Sequence, residues 1–352
     1  LKKPLSNGFK VNHPWRKLGM LVVLGLAVHL LLPQIASLEH SWYVLTSMTT
    51  WAVGLAILAQ VLSYISSGYL LKTIFGLARQ KVSLLRSTLI FVGAASIGLV
   101  AGGMVGSGAA IYTWTNKGEN RHVSATLAGV LPPMLNNLML MLVSVFGLIH
   151  LLIIHDLSRV QAIGFGAILS ILGLFAGSIA LALRYQQRAT GAAIWIASHL
   201  ARLRRKHFDP STTQASIQNL FEAWDSLRDG HWRRLLLGAI LTVVFDMLTL
   251  FFLFIAAGHS ISPGMLLAGY GLPLLLGKIA FVVPGGIGVV EGSMVALYNG
   301  LGVPDAISGI VVLSYRLISF WLPILLGFPV AAYMGRQMRT ARPSNPVDIL
   351  DS

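Results

Sequence analysis

Cysteine is absent from the 352 residues, which excludes a disulfide framework and every metal site built on thiolates. Charge is nearly as scarce. Charged side chains make up 11% of the chain, against about a quarter in a soluble domain, while 55% of residues are hydrophobic and mean hydropathy is +0.74. That composition excludes a soluble globular protein and indicates an all-α polytopic membrane protein. Acidic residues are the rarer sign, 12 against 26 Lys+Arg, for a formal net charge of +14. In a soluble chain this excess would suggest nucleic acid; here the placement of the basic residues argues against it. No P-loop, dinucleotide fingerprint or GxSxG elbow occurs, so nothing points to an ATPase, a dehydrogenase or a serine hydrolase. Neither a cofactor nor a metal site is expected.

What the chain has in abundance is long apolar runs, at about 18–38, 43–71, 88–115, 123–149, 160–183, 235–257, 264–299 and 306–332. The first is too long, and too cleanly lacking a small-residue cleavage site, to read as a cleavable signal peptide. Of the 26 Lys+Arg, 23 fall before the first run, after the second, third and last, or in the polar segment 184–234. The connections near 39–42, 150–159, 258–263 and 300–305 contain only Arg159. The positive-inside rule then puts both termini and 184–234 of this multi-pass membrane protein in the cytoplasm. Residues 1–342 read as a single membrane domain and 343–352 as a loose tail. Within 184–234, Ile194, Trp195, Leu200, Leu203, Phe208, Leu220, Phe221, Trp224 and Leu227 suggest basic amphipathic helices lying on the cytoplasmic face. Arg202, Arg204, Arg205 and Lys206 would there meet anionic lipid headgroups.

Two runs break the alternation of sides. The run 88–115 has basic residues at both ends and a glycine-rich middle, Gly98 to Gly108, so it is expected to enter and leave on the cytoplasmic side. The run 264–299 has neutral loops at both ends and the sequence Pro284-Gly285-Gly286-Ile287-Gly288-Val289-Val290-Glu291 in its middle. Backbone that leaves a helix at membrane depth must find hydrogen bonds in protein or in a wet cavity. A carboxylate there costs roughly 2.5 kcal/mol or more on insertion scales. The two stretches align at a constant offset of 183, with Gly102-Gly103 on Gly285-Gly286 and Asn116 on Asn299. The expected architecture is therefore about six full spans plus two re-entrant hairpins in an inverted repeat, 43–149 and 235–332. Eight full spans with ordinary glycine-containing helices is the competing architecture.

Four charges lie inside the runs: Asp246, Lys278, Glu291 and Arg316. Intramembrane charges need partners; the expected pairing is Glu291 with Arg316, leaving Lys278 near Asp246, and a fold-locking ion-pair network is the plain alternative. A helix starting at Gly286–Gly288 would turn N–H groups and its positive end toward the midplane, where a phosphate or carboxylate could sit. Glu291 could receive an amine, and Arg316 could fork a phosphodiester. The expected substrate-binding set is Glu291, Arg316, Lys278, Asp246, Pro284, Gly285, Gly286, Gly288, Gly102 and Gly103. Pro132-Pro133 with Asn136-Asn137 reads as a kink with packing amides, and Tyr112, Trp114, Tyr298, Tyr315 and Trp321 as aromatic belt. His150, His155 and Asp156 lack metal-ligand spacing and an HExxH pattern, so they read as a solvated loop.

With these residues laid out, the chain resembles the lysylphosphatidylglycerol synthase transmembrane, flippase-like family, including its stand-alone members. The resemblance lies in Val283 to Glu291, then Leu301-Gly302-Val303, then Ser314-Tyr315-Arg316-Leu317-Ile318-Ser319-Phe320-Trp321-Leu322-Pro323 and Gly327. At the first glycine turn Ala101 replaces the family's usual proline before Gly102. The resemblance implies a membrane protein that moves lipids or lipid-linked molecules between leaflets. Two-part relatives carry a soluble domain that transfers lysine from tRNA to phosphatidylglycerol; no such domain occurs in this sequence, so aminoacyl transfer is not expected. The expected function is a lipid flippase for a charged-headgroup phospholipid or lipid-linked molecule, with a homo-oligomer left open. The alternative is a non-transporting accessory protein that recruits a lipid- or glycan-modifying enzyme.

Overall fold

The computed structural model describes residues 47–77, 80–100, 104–115, 121–154, 159–203, 214, 217, 232–279 and 284–340. The run 18–38, the glycine turn with Gly102 and Gly103, Asn116, His155, Asp156 and most of 204–231 lie outside the described residues.

All regular structure among the described residues is helical. In chain order the helices are α1 (Thr50–Leu77), α2 (Leu84–Val100), α3 (Met104–Thr115), α4 (Arg121–Ile154), α5 (Arg159–Arg184), α6 (Gln186–Leu203), α7 (Trp232–Ala256), α8 (Pro263–Ile279), α9 (Val289–Gly300), α10 (Asp305–Arg316) and α11 (Leu322–Thr340). A π-helical turn, Leu317–Trp321, joins α10 to α11. Among the described residues, four segments are long and apolar enough to cross a bilayer: Thr50–Gly76, Leu127–Ile153, Trp232–Ala256 and Asp305–Arg336. The protein is thus an all-α polytopic membrane protein. By contrast α2 and α3 have 17 and 12 residues and pack against each other. The pair α8 and α9, again 17 and 12 residues, does the same. At 1.5 Å per residue these arms reach about 25 and 18 Å.

Local sequence sets where the helices stop. Ser262 Oγ accepts the Met265 N–H just ahead of Pro263, so α8 begins with a side-chain cap and a proline at its first position. At the end of α9, Gly302 (φ 89°) donates to the Asn299 carbonyl and Val303 to the Tyr298 carbonyl. The same 5→2 and 6→1 bonds close α7 around Gly258, a glycine stop that frees the chain to reverse in a few residues.

Small residues and hydroxyls set the packing, as expected where lipid offers no hydrophobic drive between helices. The most extensive interface joins α1 to α7. There Ser63 Oγ donates to the Thr242 carbonyl (2.9 Å), Ser67 and Thr242 share a hydroxyl bond (3.2 Å), and Gly238 admits the Leu70 backbone. Next come α8 on α4 and α2 on α11. Gly147 of α4 lies so close to α8 that a Cβ would come within 2.4 Å of the Ala268 nitrogen. Gly327 of α11 lies as closely on Ser96 of α2, whose hydroxyl reaches the Pro323 and Ile324 carbonyls.

Candidate functional site

The Pro-Gly-Gly sequence forms a 3₁₀ turn, Pro284–Gly286, from which α9 departs. Gly285, Gly286 and Gly288 all have positive φ (64°, 64° and 81°), a region that side chains with a Cβ enter at a cost. Gly286 is further constrained: a Cβ there would lie 2.7 Å from the Cα of Gly277 on α8. The room that a headgroup was expected to use at this glycine is occupied by the neighbouring helix.

Glu291 and Arg316 meet as expected. Arg316 Nε donates to Glu291 Oε1 at 2.7 Å, with side chains only 6% and 3% exposed. Each also grips the turn: Glu291 Oε2 accepts the Gly288 N–H at 2.7 Å, and Arg316 Nη2 donates to the Gly285 carbonyl at 3.2 Å. The guanidinium carbon lies 3.9 Å from the centroid of the Phe320 ring. Two opposite charges thus neutralise each other and satisfy backbone groups that the break in the helix would leave bare. In this conformation the pair is a clamp on the turn.

The second pair of charges is arranged differently. Asp246, half-buried at the middle of α7, accepts hydrogen bonds on Oδ2 from Tyr270 of α8 (2.7 Å) and Tyr315 of α10 (2.9 Å). Gln60 of α1 lies beside this carboxylate. Lys278 lies within electrostatic range of Asp246 but makes no ion pair with it; its ammonium donates to Asn137 Oδ1 of α4. Lys278 on α8 is exposed, and Asn137 on α4 and Asp246 on α7 are partly accessible. The expected neighbourhood of Lys278 and Asp246 holds, but tyrosines have taken the bonds that an ammonium would have made. A tyrosine hydroxyl is neutral and held by a rigid apolar ring, so it can sit in a closed helix contact, whereas the charged Lys278 snorkels toward accessible space.

Tyrosines 298 and 315 correct the aromatic-belt expectation. Tyr315 is 1% exposed and bonded to Asp246, and Tyr298 is 0% exposed, packed edge-on against Phe254. Gln60 and Tyr64 carry no expectation at all, since α1 reads as one apolar run. Tyr64 donates to the Ser319 carbonyl at 2.6 Å, inside the π-turn where a carbonyl loses its usual helical donor. Their signal was a glutamine and a tyrosine four residues apart, on one face of a long, largely apolar helix. Of the expected set, the structure brings together Glu291, Arg316 and the turn of Pro284, Gly285, Gly286 and Gly288, with Asp246 and Lys278 alongside. Gly102 and Gly103 lie outside the described residues. An open depression of about 440 Å³, lined by His259, Ile261, Met265, Leu301 and Val303, sits at the helix connections and includes none of these charges. Among the described residues no cluster of three or more His, Asp or Glu could hold a metal ion.

Comparison with known proteins agrees with this architecture. The chain is 32% identical over 92 residues to a UPF0104 membrane protein of Methanothermobacter thermautotrophicus, covering 26% of the chain and 27% of that protein. It is 24% identical over 135 residues to one of Methanocaldococcus jannaschii (38% and 40% covered). It is 38% identical over 82 residues to one of Pyrococcus horikoshii (23% and 24% covered). The aligned segments thus span between 24% and 40% of the length of these relatives. The match to the family described as "Lysylphosphatidylglycerol synthase TM region" is far broader. It runs over residues 18–327, clamp, tyrosine-bound carboxylate and lysine included, and the chain belongs to that family.

Proposed function

We propose that this chain is a non-enzymatic lipid transporter. It carries a charged-headgroup phospholipid or lipid-linked molecule between leaflets through a polar seam between two re-entrant hairpins. Membership of the family supports a general lipid-handling role. The observation that carries the finer reading is the accessible Lys278 beside the half-buried Asp246, opposite charges at membrane depth. Such charges are costly in hydrocarbon and are characteristic of substrate paths. Lys278 would take the phosphate, with Asp246 beside it as the counter-charge in the empty site, while acyl chains remain in the bilayer. Glu291 and Arg316 act through the turn they clamp, and Pro284, Gly285, Gly286 and Gly288 let it turn. By the sequence repeat alone, Gly102 and Gly103 are assigned the corresponding role in the first unit.

An inverted repeat of α1–α4 against α7–α11 underlies this reading. Both hairpins have arms of 17 and 12 residues. Each hairpin packs against the long span of the opposite unit, α8 on α4 and α2 on α11, in both cases through a glycine of that span. The two leading helices, α1 and α7, pair with each other, as elements on a pseudo-two-fold axis would. Alternating access is then a rocking of one unit against the other about α1 and α7. Helix α6 lies along the cytoplasmic surface of the plasma membrane: Trp195 and Ile196 are exposed, and Arg184 and Arg188 stack over Tyr185, facing anionic headgroups.

Purified protein reconstituted with headgroup-labelled phospholipids tests the proposal. Transport is expected to fall at least tenfold in Lys278→Ala and in Asp246→Asn, the latter chosen because its amide oxygen can still accept from the tyrosines, with a folded protein of unchanged oligomeric state. Wild-type rates in both variants would refute the seam. A wild-type protein that moves no phospholipid, yet retains its cellular effect, would favour the accessory role.

A further inference from the structure

We propose that Asp246 is a reversible proton site, and that protonation of its carboxylate is coupled to anionic headgroup binding at Lys278. The inference rests on the transport reading for its lipid half and on the hydrogen-bond inventory for its proton half.

The inventory around Asp246 is short of one hydrogen. Its carboxylate already accepts from Tyr270 and Tyr315 on the same oxygen, Oδ2. Gln60, 3% exposed and lying beside both Asp246 and Tyr64, leaves its Oε1 without any donor. A buried acceptor with no donor is rare in native structures and is destabilising. A proton taken from water onto Asp246 Oδ1 would make a carboxyl O–H that can donate to Gln60 Oε1, while Oδ2 keeps both tyrosines. The Gln60 amide can turn its N–H to the ionised carboxylate and its carbonyl to the protonated one, so one side chain can serve both states.

The charged and titratable groups facing Asp246 define the consequence. They are Tyr64 on α1, Tyr270 and Lys278 on α8, and Tyr315 and Arg316 on α10. Arg316 is already neutralised by Glu291. Asp246 is therefore the anion that compensates Lys278. When the carboxylate takes up a proton, Lys278 is left as a lone cation at membrane depth, and a phosphate headgroup restores neutrality. When the proton leaves, the carboxylate competes for Lys278 and the headgroup is released. By linkage, acidification must raise affinity for the anionic lipid and the lipid must raise affinity for the proton by the same factor. The same carboxylate ties α7 to α8 and α10 through its tyrosines, and charge-assisted bonds weaken to ordinary ones on protonation. The proton thereby loosens the second hairpin at the moment the headgroup binds.

The test uses the full chain in detergent with short-chain phosphatidylglycerol as probe. Infrared difference spectra between acid and alkaline buffer are expected to contain a protonated-carboxyl C=O band that Asp246→Asn abolishes. Asp246→Glu should keep the band at a displaced frequency, which assigns it even if the asparagine variant folds poorly. Adding the lipid in weak buffer should draw protons from solution in wild type but not in Asp246→Asn, whose lipid affinity should be pH-independent. A band unaffected by both substitutions, or lipid binding that is equally pH-dependent in wild type and Asp246→Asn, overturns the proposal. A titrating Asp246 band with no response to bound lipid would uphold the proton site and overturn its coupling to a headgroup, whereas wild-type protein that binds no lipid at any pH would overturn the transport reading itself.

Discussion

Replacing Gly286 by alanine separates two reasons for a glycine in the turn, because other glycines of the chain supply the controls. Gly258 at the end of α7 and Gly286 both have left-handed φ, 71° and 64°, so each alanine incurs about 1–2 kcal/mol of left-handed strain. A Cβ at Gly258 meets nothing within 4 Å, whereas at Gly286 it meets backbone, 2.7 Å from the Gly277 Cα and 3.0 Å from its carbonyl oxygen. Neither atom can rotate away, so α8 and the turn must separate, an overpacking cost of about 1–3 kcal/mol. Gly286→Ala should then cost about 2–5 kcal/mol in all, and Gly258→Ala only the first part. Gly292 is the internal standard: it is exposed on α9 with nothing within 4 Å of a Cβ, and Gly292→Ala should stabilise by about 0.5–1 kcal/mol. The assay is reversible unfolding in mixed micelles of rising denaturing-detergent fraction, followed by tryptophan fluorescence. If Gly286→Ala is no worse than Gly258→Ala, the close approach of turn and helix is not a constraint, and the reasoning fails.

The clamp makes a second prediction. Glu291→Gln strands the buried Arg316 charge and should cost about 3–5 kcal/mol, whereas Glu291→Gln combined with Arg316→Gln should recover part of that loss in a double-mutant cycle. Tyr64→Phe removes the donor to the Ser319 carbonyl inside the π-turn, and should cost about 1–3 kcal/mol of unfolding free energy. Hydrogen exchange that is faster around residues 317–321, and unchanged in α4, would place that loss where the geometry puts it.

Several of these features were legible before any coordinates. In a chain with few charges, an acid and a base bracketing a Pro-Gly-Gly break have almost no way to be tolerated except together, and Glu291 and Arg316 are together. The glycines at 285, 286 and 288 announce positive φ, because no other residue enters that region as readily. Lys278 and Asp246 were harder. Opposite formal charge predicted mutual pairing, but hydrogen-bond donors from three other helices compete for a carboxylate. Tyr270 and Tyr315 won because both are held in closed contacts beside it, 2% and 1% exposed. The interfacial habit of tyrosine concealed that competition. Gln60 and Tyr64 were concealed by α1 itself, whose apolar run offers no reason to look for a polar partner until α7 and the π-turn are placed against it.

Sequence alone determined that this chain lives in a bilayer, that its backbone breaks at Pro284–Gly286, and which residues carry the buried charges. Those are matters of composition and local geometry, read from transfer cost and backbone freedom. Only the tertiary structure decided which groups neutralise which. Gly277 fills the space above Gly286, Arg316 holds the turn through Glu291, and Asp246 rests on tyrosines with Gln60 beside it. Hydrogen bonds and charge pairs act over a few ångströms between helices distant in sequence, so the fold has to bring those helices together before their chemistry can be assigned.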